Sequence, residues 1–201
     1  MLRLPNICAR WLSALVLTIC CLSTAAAQAD ITRPGDHVHY LLDLEPHFAL
    51  QWAGTRAYDQ GFGFGVRTSF VVVDNGPIPK VNNTLAIGTG GDFTFFDNSC
   101  GPYDCNGLQF WVPVVAQWNF YFSSAFVLFP EIGIAFRYYN SDANDLCSGL
   151  VVNSTNSYCG GDDFGVQPAM WLGGRYIVND TLAVTFRMGY PSMNIGASIF
   201  L

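Results

Sequence analysis

Seven charged residues lie in segments where every second residue is apolar, and each charged residue falls at one of the positions in between. Four are arginines and three are acids: Glu45, Arg67, Asp92, Glu131, Arg137, Arg175 and Arg187. A guanidinium presents a planar set of donors that matches the oxygens of a carboxylate, and a charge removed from water has to be paired. We therefore predict a buried polar network in which Arg67 bonds to Asp92, and Arg137 or Arg175 bonds to Glu131.

Histidines near the start of the chain have the residue types of a metal site. His37 and His39 are two residues apart, His47 follows, and alternate residues of a strand share one face. The carboxylates beside them are Asp43 and Glu45. Asp36 and Asp43 are equally well explained as solvated groups, so the sequence predicts neither a metal nor a cofactor.

Catalytic and phosphate-binding patterns are weak. Ser69, His47 and Glu45 have the types that a hydrolase combines, but no local motif joins them. The glycine-rich runs 61–65 and 88–91 precede no predicted helix, unlike true phosphate loops. We predict no catalytic residue, and we interpret these glycines as inward-facing positions of strands.

The segments that carry these residues alternate with a period of two. Leu182, Val184, Phe186 and Met188 share one face of such a segment, and Arg187 lies on the other. This pattern indicates β-strands. The predicted strands are about His39–Ala53, Gly61–Val73, Asn83–Phe96, Leu108–Phe122, Ala125–Tyr139, Asp163–Ile177, Thr181–Tyr190 and Met193–Leu201. The first is expected to turn Tyr40 and Leu42 outward, and polar loops are predicted at Asp97–Gly107 and Asn140–Asp162.

The composition favours a membrane-spanning wall. Hydrophobic residues make up 51% of the chain and charged residues 12%, and Lys80 is the only lysine. A secreted β-sandwich also alternates, but its exposed face would carry many more charges. We predict an all-β fold: an eight-stranded antiparallel up-and-down transmembrane β-barrel. Aromatic girdles are expected near the strand ends, at Trp52, Phe95, Phe122, Tyr138, Tyr176 and Tyr190.

An eight-stranded barrel is just wide enough for side chains to fill it. The inward polar residues therefore predict a plug that stabilises the barrel. The alternative is a conduction path or a small ligand pocket along the same residues.

The first residues read as an export signal. Arg3 and Arg10 precede an apolar run, and small residues end at Ala29, so Met1–Ala29 is predicted to be removed; cleavage after Ala27 is nearly as plausible. Residues 30–201 then form one domain with seven basic and fifteen acidic residues, a net charge of 7 − 15 = −8. This charge argues against nucleic acid as a partner.

Four cysteines follow the predicted signal. An even number in an exported chain predicts two disulfides among Cys100, Cys105, Cys147 and Cys159, with three possible pairings. Pairing within each loop, Cys100 with Cys105 and Cys147 with Cys159, is simplest, and cross-pairing stays open. A zinc site is less favoured because the spacings lack C-x-x-C and these loops contain no histidine.

The C-terminal residues Asn194, Gly196, Ile199 and Leu201 form a pattern that resembles the assembly signal of bacterial outer-membrane proteins. With the leader and the hairpins, the whole chain resembles the small barrels of the OmpA-membrane-domain, OmpX and OmpW kind. The resemblance implies a Gram-negative outer membrane, assembly by the barrel assembly machinery, and a surrounding of lipid and lipopolysaccharide.

Three functions are compatible with such a barrel. The first is a non-enzymatic structural or surface-interaction role, with disulfide-closed outer loops that meet an external ligand of unknown identity. The second is a narrow channel or carrier for small solutes. A lipid-modifying barrel enzyme is less favoured, because no nucleophile and base stand together in the sequence.

Overall fold

The computed structural model describes residues 31–52, 60–100, 103–141 and 163–201, with the backbone alone at 97–100, 103–106, 141 and 163. The predicted leader, Met1–Ala29, lies outside the described residues. No helix among the described residues is long and apolar enough to cross a membrane.

Eight strands form one closed sheet. They are β1 Leu42–Gln51, β2 Gly61–Val73, β3 Asn83–Cys100, β4 Tyr103–Tyr121, β5 Phe126–Ser141, β6 Asp163–Asn179, β7 Leu182–Tyr190 and β8 Ser192–Phe200. Each strand pairs with its neighbours in the chain, and β1 pairs with β8 to close the barrel. All pairs are antiparallel. The predicted eight-stranded up-and-down barrel is confirmed.

The barrel has two distinct ends. The end that holds the first and last strand termini also holds the connections 74–82, 122–125 and 180–181; we call it the terminal end. At the opposite end, the loop end, β1, β3 and β5 end and β2, β4 and β6 begin, and Pro191 joins β7 to β8. Strands β3 to β6 have 16–19 residues, whereas β1, β7 and β8 have 9–10. The wall is therefore tallest on the β3–β6 side.

The predicted polar loop at Asp97–Gly107 is wrong. β3 continues to Cys100 and β4 starts at Tyr103, and Asn98 lies opposite Cys105 in the ladder. Ladder hydrogen bonds satisfy the backbone whatever the polarity of the side chains, so polar residues extend this hairpin. The second predicted loop, Asn140–Asp162, falls for the most part outside the described residues, although β5 reaches Ser141.

The polarity of the barrel is reversed relative to a water-soluble protein. Along β7, Ala183, Thr185 and Arg187 are each 0% exposed, while Phe186 and Met188 are 43% and 53% exposed. The same alternation runs along β1 and β2. The interior is therefore polar and charged, and the exterior is apolar.

An apolar cluster fills the lumen at the terminal end. It consists of Tyr121, Val127, Phe129, Ile177, Ala183 and Phe200, with Val38 and Tyr40 packed against it. Tyr40 stacks on Phe200 with 4.4 Å between ring centroids. The outward position predicted for Tyr40 is wrong, because β1 begins only at Leu42 and the preceding residues fold across the end of the barrel.

Candidate functional site

A chain of alternating charges crosses the lumen. Arg187 bonds to Glu45, and its Nε donates to Glu131 Oε1 at 3.0 Å. Arg67 Nη1 lies 3.5 Å from the other oxygen of Glu131, and Arg67 Nη2 donates to Asp92 Oδ2 at 3.1 Å. These five side chains are 0–5% exposed. Each guanidinium thus lies between two carboxylates, the arrangement that buried charges require.

His47 lies beside both ends of this chain. Its Nε2 is 2.9 Å from Asp92 Oδ1, and its Nδ1 is 3.3 Å from the backbone oxygen of Glu45. His47 is 4% exposed and belongs to the lumen. It is therefore not a neighbour of His37 and His39, with which the sequence analysis grouped it.

Arg175 forms a second charged group nearer the terminal end. It bonds to Asp43, and its Nη1 donates to the Tyr40 hydroxyl at 3.0 Å. Ser198 Oγ lies 3.1 Å from Glu45 Oε2 and 3.4 Å from Asp43 Oδ2, so it links the two charged groups. Ion pairs and one hydroxyl thus make a single connected network.

The network differs from the predicted one in its pairings. Arg67 does bond to Asp92, but Arg175 bonds to Asp43, and Glu131 is shared by Arg67 and Arg187. Asp43, which the sequence did not place in the lumen, is 1% exposed. Its position two residues before Glu45 was the available signal, because alternate strand residues share a face.

Arg137 also lies on the inner wall. It is 8% exposed, and its Nη2 lies beside Gly165 of the adjacent strand β6. Like the other six predicted lumen residues, it is buried within the barrel.

Aromatic rings lie against the guanidinium groups. Arg67 lies 4.4 Å above the Trp171 ring, and Phe129 lies 5.1 Å from both Arg175 and Arg187. The face of an aromatic ring attracts a cation, most strongly where water is excluded. These rings therefore stabilise the charges and occupy the space around them.

A ladder of amides and hydroxyls occupies another part of the inner wall. Ser69 Oγ donates to Gln117 Oε1 at 2.8 Å, and Gln117 Nε2 donates to Asn119 Oδ1 at 2.7 Å. Asn119 Nδ2 donates to Thr84 Oγ1 at 2.9 Å. Ser69 thus bonds to Gln117, whereas the hydrolase alternative would need it beside His47.

Two glycines make room for the network. A Cβ on Gly65 would lie 2.3 Å from Asp92 Oδ1 and 2.8 Å from His47 Nε2. A Cβ on Gly173 would lie 2.2 Å from the ring of Phe129, which is 0% exposed. Both contacts are far below van der Waals distance, so the inner wall has no space for a side chain at either position.

Gly173→Ala is expected to destabilise the barrel by about 1–3 kcal/mol, the usual cost of overpacking. Phe129 would have to leave its place between Arg175 and Arg187. The matched control is Gly174→Ala, because an added Cβ there lies 3.7 Å from its nearest neighbour on the outer face. Equilibrium unfolding in urea measures both; equal stabilities for the two variants would contradict the tight inner packing.

The residues of the C-terminal pattern divide between the two faces of β8. Asn194 is 1% exposed and faces the lumen, and Gly196 lies opposite His47 in the ladder. Ile199 and Leu201 are 37% and 63% exposed. The polar half of the pattern therefore belongs to the interior and the apolar half to the exterior.

The fold of this chain is similar to several solved protein structures. No family model and no curated protein matches the chain. One similar structure is the crystal structure of Ail, the attachment invasion locus protein of Yersinia pestis, in complex with the heparin analogue sucrose octasulfate. The two sequences are 10% identical and the TM-score is 0.45; the match covers 80% of this chain and 97% of Ail.

Two further solved structures show the same degree of likeness. The backbone structure of Yersinia pestis Ail in a phospholipid bilayer nanodisc is 11% identical, with a TM-score of 0.46, and covers 81% and 100% of the two chains. Neisserial surface protein A is 14% identical, with a TM-score of 0.46 and coverage of 80% and 97%. These likenesses are too distant to transfer a function.

Proposed function

We propose that this chain is an integral outer-membrane β-barrel without enzymatic activity, and that its plugged lumen suits a structural or surface-interaction role. The observation that carries the proposal is the reversed polarity: charged groups are buried and paired inside, while large apolar side chains are exposed outside. Such an exterior is stable when it is surrounded by lipid.

The exterior has the height of a bilayer core. Seven outward residues follow one another along β5: Phe126, Leu128, Pro130, Ile132, Ile134, Phe136 and Tyr138. At about 3.3 Å per residue and a tilt of about 40°, they span roughly 30 Å. The hydrocarbon core of a bilayer is about 30 Å thick. The apolar band therefore supports a membrane-spanning barrel.

Aromatic residues lie near both edges of this band. Phe122 and Tyr176 are 45% and 53% exposed at the terminal end, and Trp52, Phe95 and Tyr138 are 38–43% exposed toward the loop end. Interfacial girdles of transmembrane barrels have this placement. Tyr190, which was also predicted to belong to a girdle, is partly buried, and its hydroxyl donates to Gln167 Oε1 at 2.7 Å.

The interior supports a plug over a channel. A conduction path needs charged groups that face water, whereas the described lumen carboxylates bond to arginines. Arg67, Arg175 and Arg187 also lie against aromatic rings. The apolar cluster around Phe129 and Phe200 fills the terminal end. A small solute would have to displace these contacts to pass.

The loop end supports the surface-interaction role. The β3–β4 hairpin extends the tall side of the wall, and both cysteines of its arms lie in ladder positions, with Cys100 opposite Tyr103 and Cys105 opposite Asn98. Cys147 and Cys159 lie outside the described residues. Disulfides that close these segments would preorganise a binding surface, and their pairing remains a prediction.

The remaining parts of the proposal come from the termini. Met1–Ala29 would direct export, and Asn194, Gly196, Ile199 and Leu201 would be presented to the barrel assembly machinery. The short connections 122–125 and 180–181 would then lie in the periplasm, and the loop end would lie outside, where lipopolysaccharide is the surrounding lipid. Two connections depart from the usual pattern of short periplasmic and long outer links: 74–82 is long for the periplasm, and Pro191 alone is short for the outside. The outer-facing loop end would meet the external ligand.

Heat modifiability tests the proposal directly. Expressed with its leader in a Gram-negative host, the protein is expected in the outer-membrane fraction, and its unboiled form is expected to migrate faster on a gel than its boiled form. Folded barrels resist detergent because every strand is paired with its neighbours. A single band from protein found soluble in the periplasm or the medium would contradict membrane insertion.

A further inference from the structure

Two histidines face one carboxylate at the terminal end of the barrel. His37 and His39 precede β1, and Asp74 follows β2. His37 Nε2 lies 3.3 Å from Asp74 Oδ1, and His39 Nδ1 lies 3.0 Å from Asp74 Oδ2. The three possible ligand atoms lie within 4.8 Å of one another. Although partial burial opposes ionisation, hydrogen bonds with both imidazoles hold the pKa of Asp74 below its usual value.

The orientation of His37 is fixed by Asn82. The Asn82 Nδ2 donates to the backbone oxygen of Asp36 at 2.7 Å, so its Oδ1 is the atom that lies 2.6 Å from His37 Nδ1. An amide oxygen only accepts hydrogen bonds, so His37 Nδ1 carries the proton. Nε2 is then the ring nitrogen that faces Asp74, 3.3 Å from Oδ1.

A contact of this kind needs a positive charge that both atoms share. The His37 side chain is 1% exposed and stacks on Tyr121 at 4.4 Å, so it is held in place. The charge is either a second proton on the ring or a metal ion. A metal-ligating histidine characteristically donates its other ring nitrogen to a fixed acceptor, and Asn82 is such an acceptor.

The distances fit a small tetrahedral ion. With zinc–ligand bonds of about 2.0–2.1 Å, two ligand atoms of a tetrahedral site lie about 3.3–3.4 Å apart, and His37 Nε2 and Asp74 Oδ1 are 3.3 Å apart. His39 is 60% exposed and can turn toward the same point. Two imidazoles and a carboxylate leave the fourth position to water.

We propose that His37, His39 and Asp74 bind a divalent transition-metal ion of the zinc type. The ion would fasten the residues before β1 to the connection between β2 and β3. From the sequence, the only carboxylates expected near these histidines were Asp43 and Glu45, and no metal was predicted. Asp74 is 35 residues from His39 in the chain, so no local spacing marked it.

Calorimetric titration of the untagged, folded barrel in detergent with zinc chloride tests the site. We expect one ion per chain, and we expect His39→Ala and Asp74→Asn each to weaken binding by about tenfold or more, since even the loss of an outer-shell partner costs 10–100-fold. Asp180→Asn is the matched control, because it removes an exposed carboxylate at the same end without touching the site. An unboiled gel band confirms that each variant is folded.

Ring ¹⁵N spectra give a second readout. The chain has three histidines, so the signals can be assigned completely. Zinc should shift Nε2 of His37 and Nδ1 of His39 and leave His47 unchanged. Absence of binding, binding unaffected by both ligand variants, or a His37 ring that stays protonated on both nitrogens when zinc is added would each overturn the proposal.

Discussion

Replacing Arg187 by methionine is expected to lower the free energy of unfolding by about 3–5 kcal/mol, the cost of breaking a buried ion pair from one side. Arg187 bonds to Glu45 and to Glu131, and all three side chains are at most 3% exposed. Without the guanidinium, both acids stay in a space that water enters poorly. The methionine fills much of the volume of the arginine, so most of the lost stability comes from the unpaired carboxylates and little of it from a cavity.

Urea unfolding of the protein in lipid vesicles measures this effect. Arg33→Met is the control, because Arg33 is exposed before β1 and its loss should change stability by less than about 0.5 kcal/mol. A plugged barrel should also pass no steady current across a planar bilayer. If Arg187→Met behaves like the control and the unaltered protein conducts, the lumen charges are hydrated and the protein is a channel.

Replacing Ile132 by lysine is expected to destabilise the folded barrel in a bilayer by about 2–4 kcal/mol. Ile132 is the fourth of the seven outward residues on β5 and is 68% exposed. At mid-height of the apolar band, a lysine ammonium would lie in hydrocarbon. On a protein surrounded by water, the same exposed position would accept lysine at almost no cost.

The matched control is Ile78→Lys. Ile78 is 38% exposed in the connection between β2 and β3, outside the strands. Unfolding free energies of both variants, measured in vesicles, should differ by about 2 kcal/mol or more. Two variants of equal stability would show that the β5 exterior faces water, and the membrane proposal would fail.

The fold was predictable because strand alternation is a local property. A period of two separates Phe186 from Arg187 and places each on its face, whatever the rest of the chain does. Short turns then join neighbouring strands in order. The strand count, the strand order and the burial of Arg187 follow from these local patterns.

The pairing of charges was not predictable in the same way. Arg175 bonds to Asp43, 132 residues away, because closure of the sheet brings β1 and β6 to face each other across the lumen. Tyr40 turned inward because the chain bends over the barrel end before β1 begins. Both outcomes depend on three-dimensional closure, which alternation along one strand does not contain.

The charge chain also bears on how the barrel assembles. Its bonds join β1 to β7, β7 to β5 and β5 to β2, strands that are not neighbours in the sheet. A half-formed sheet therefore holds most of these charges without their partners. Such an intermediate would be costly in lipid, so insertion and closure should proceed as one cooperative transition, with the polar face hydrated until the last strand docks.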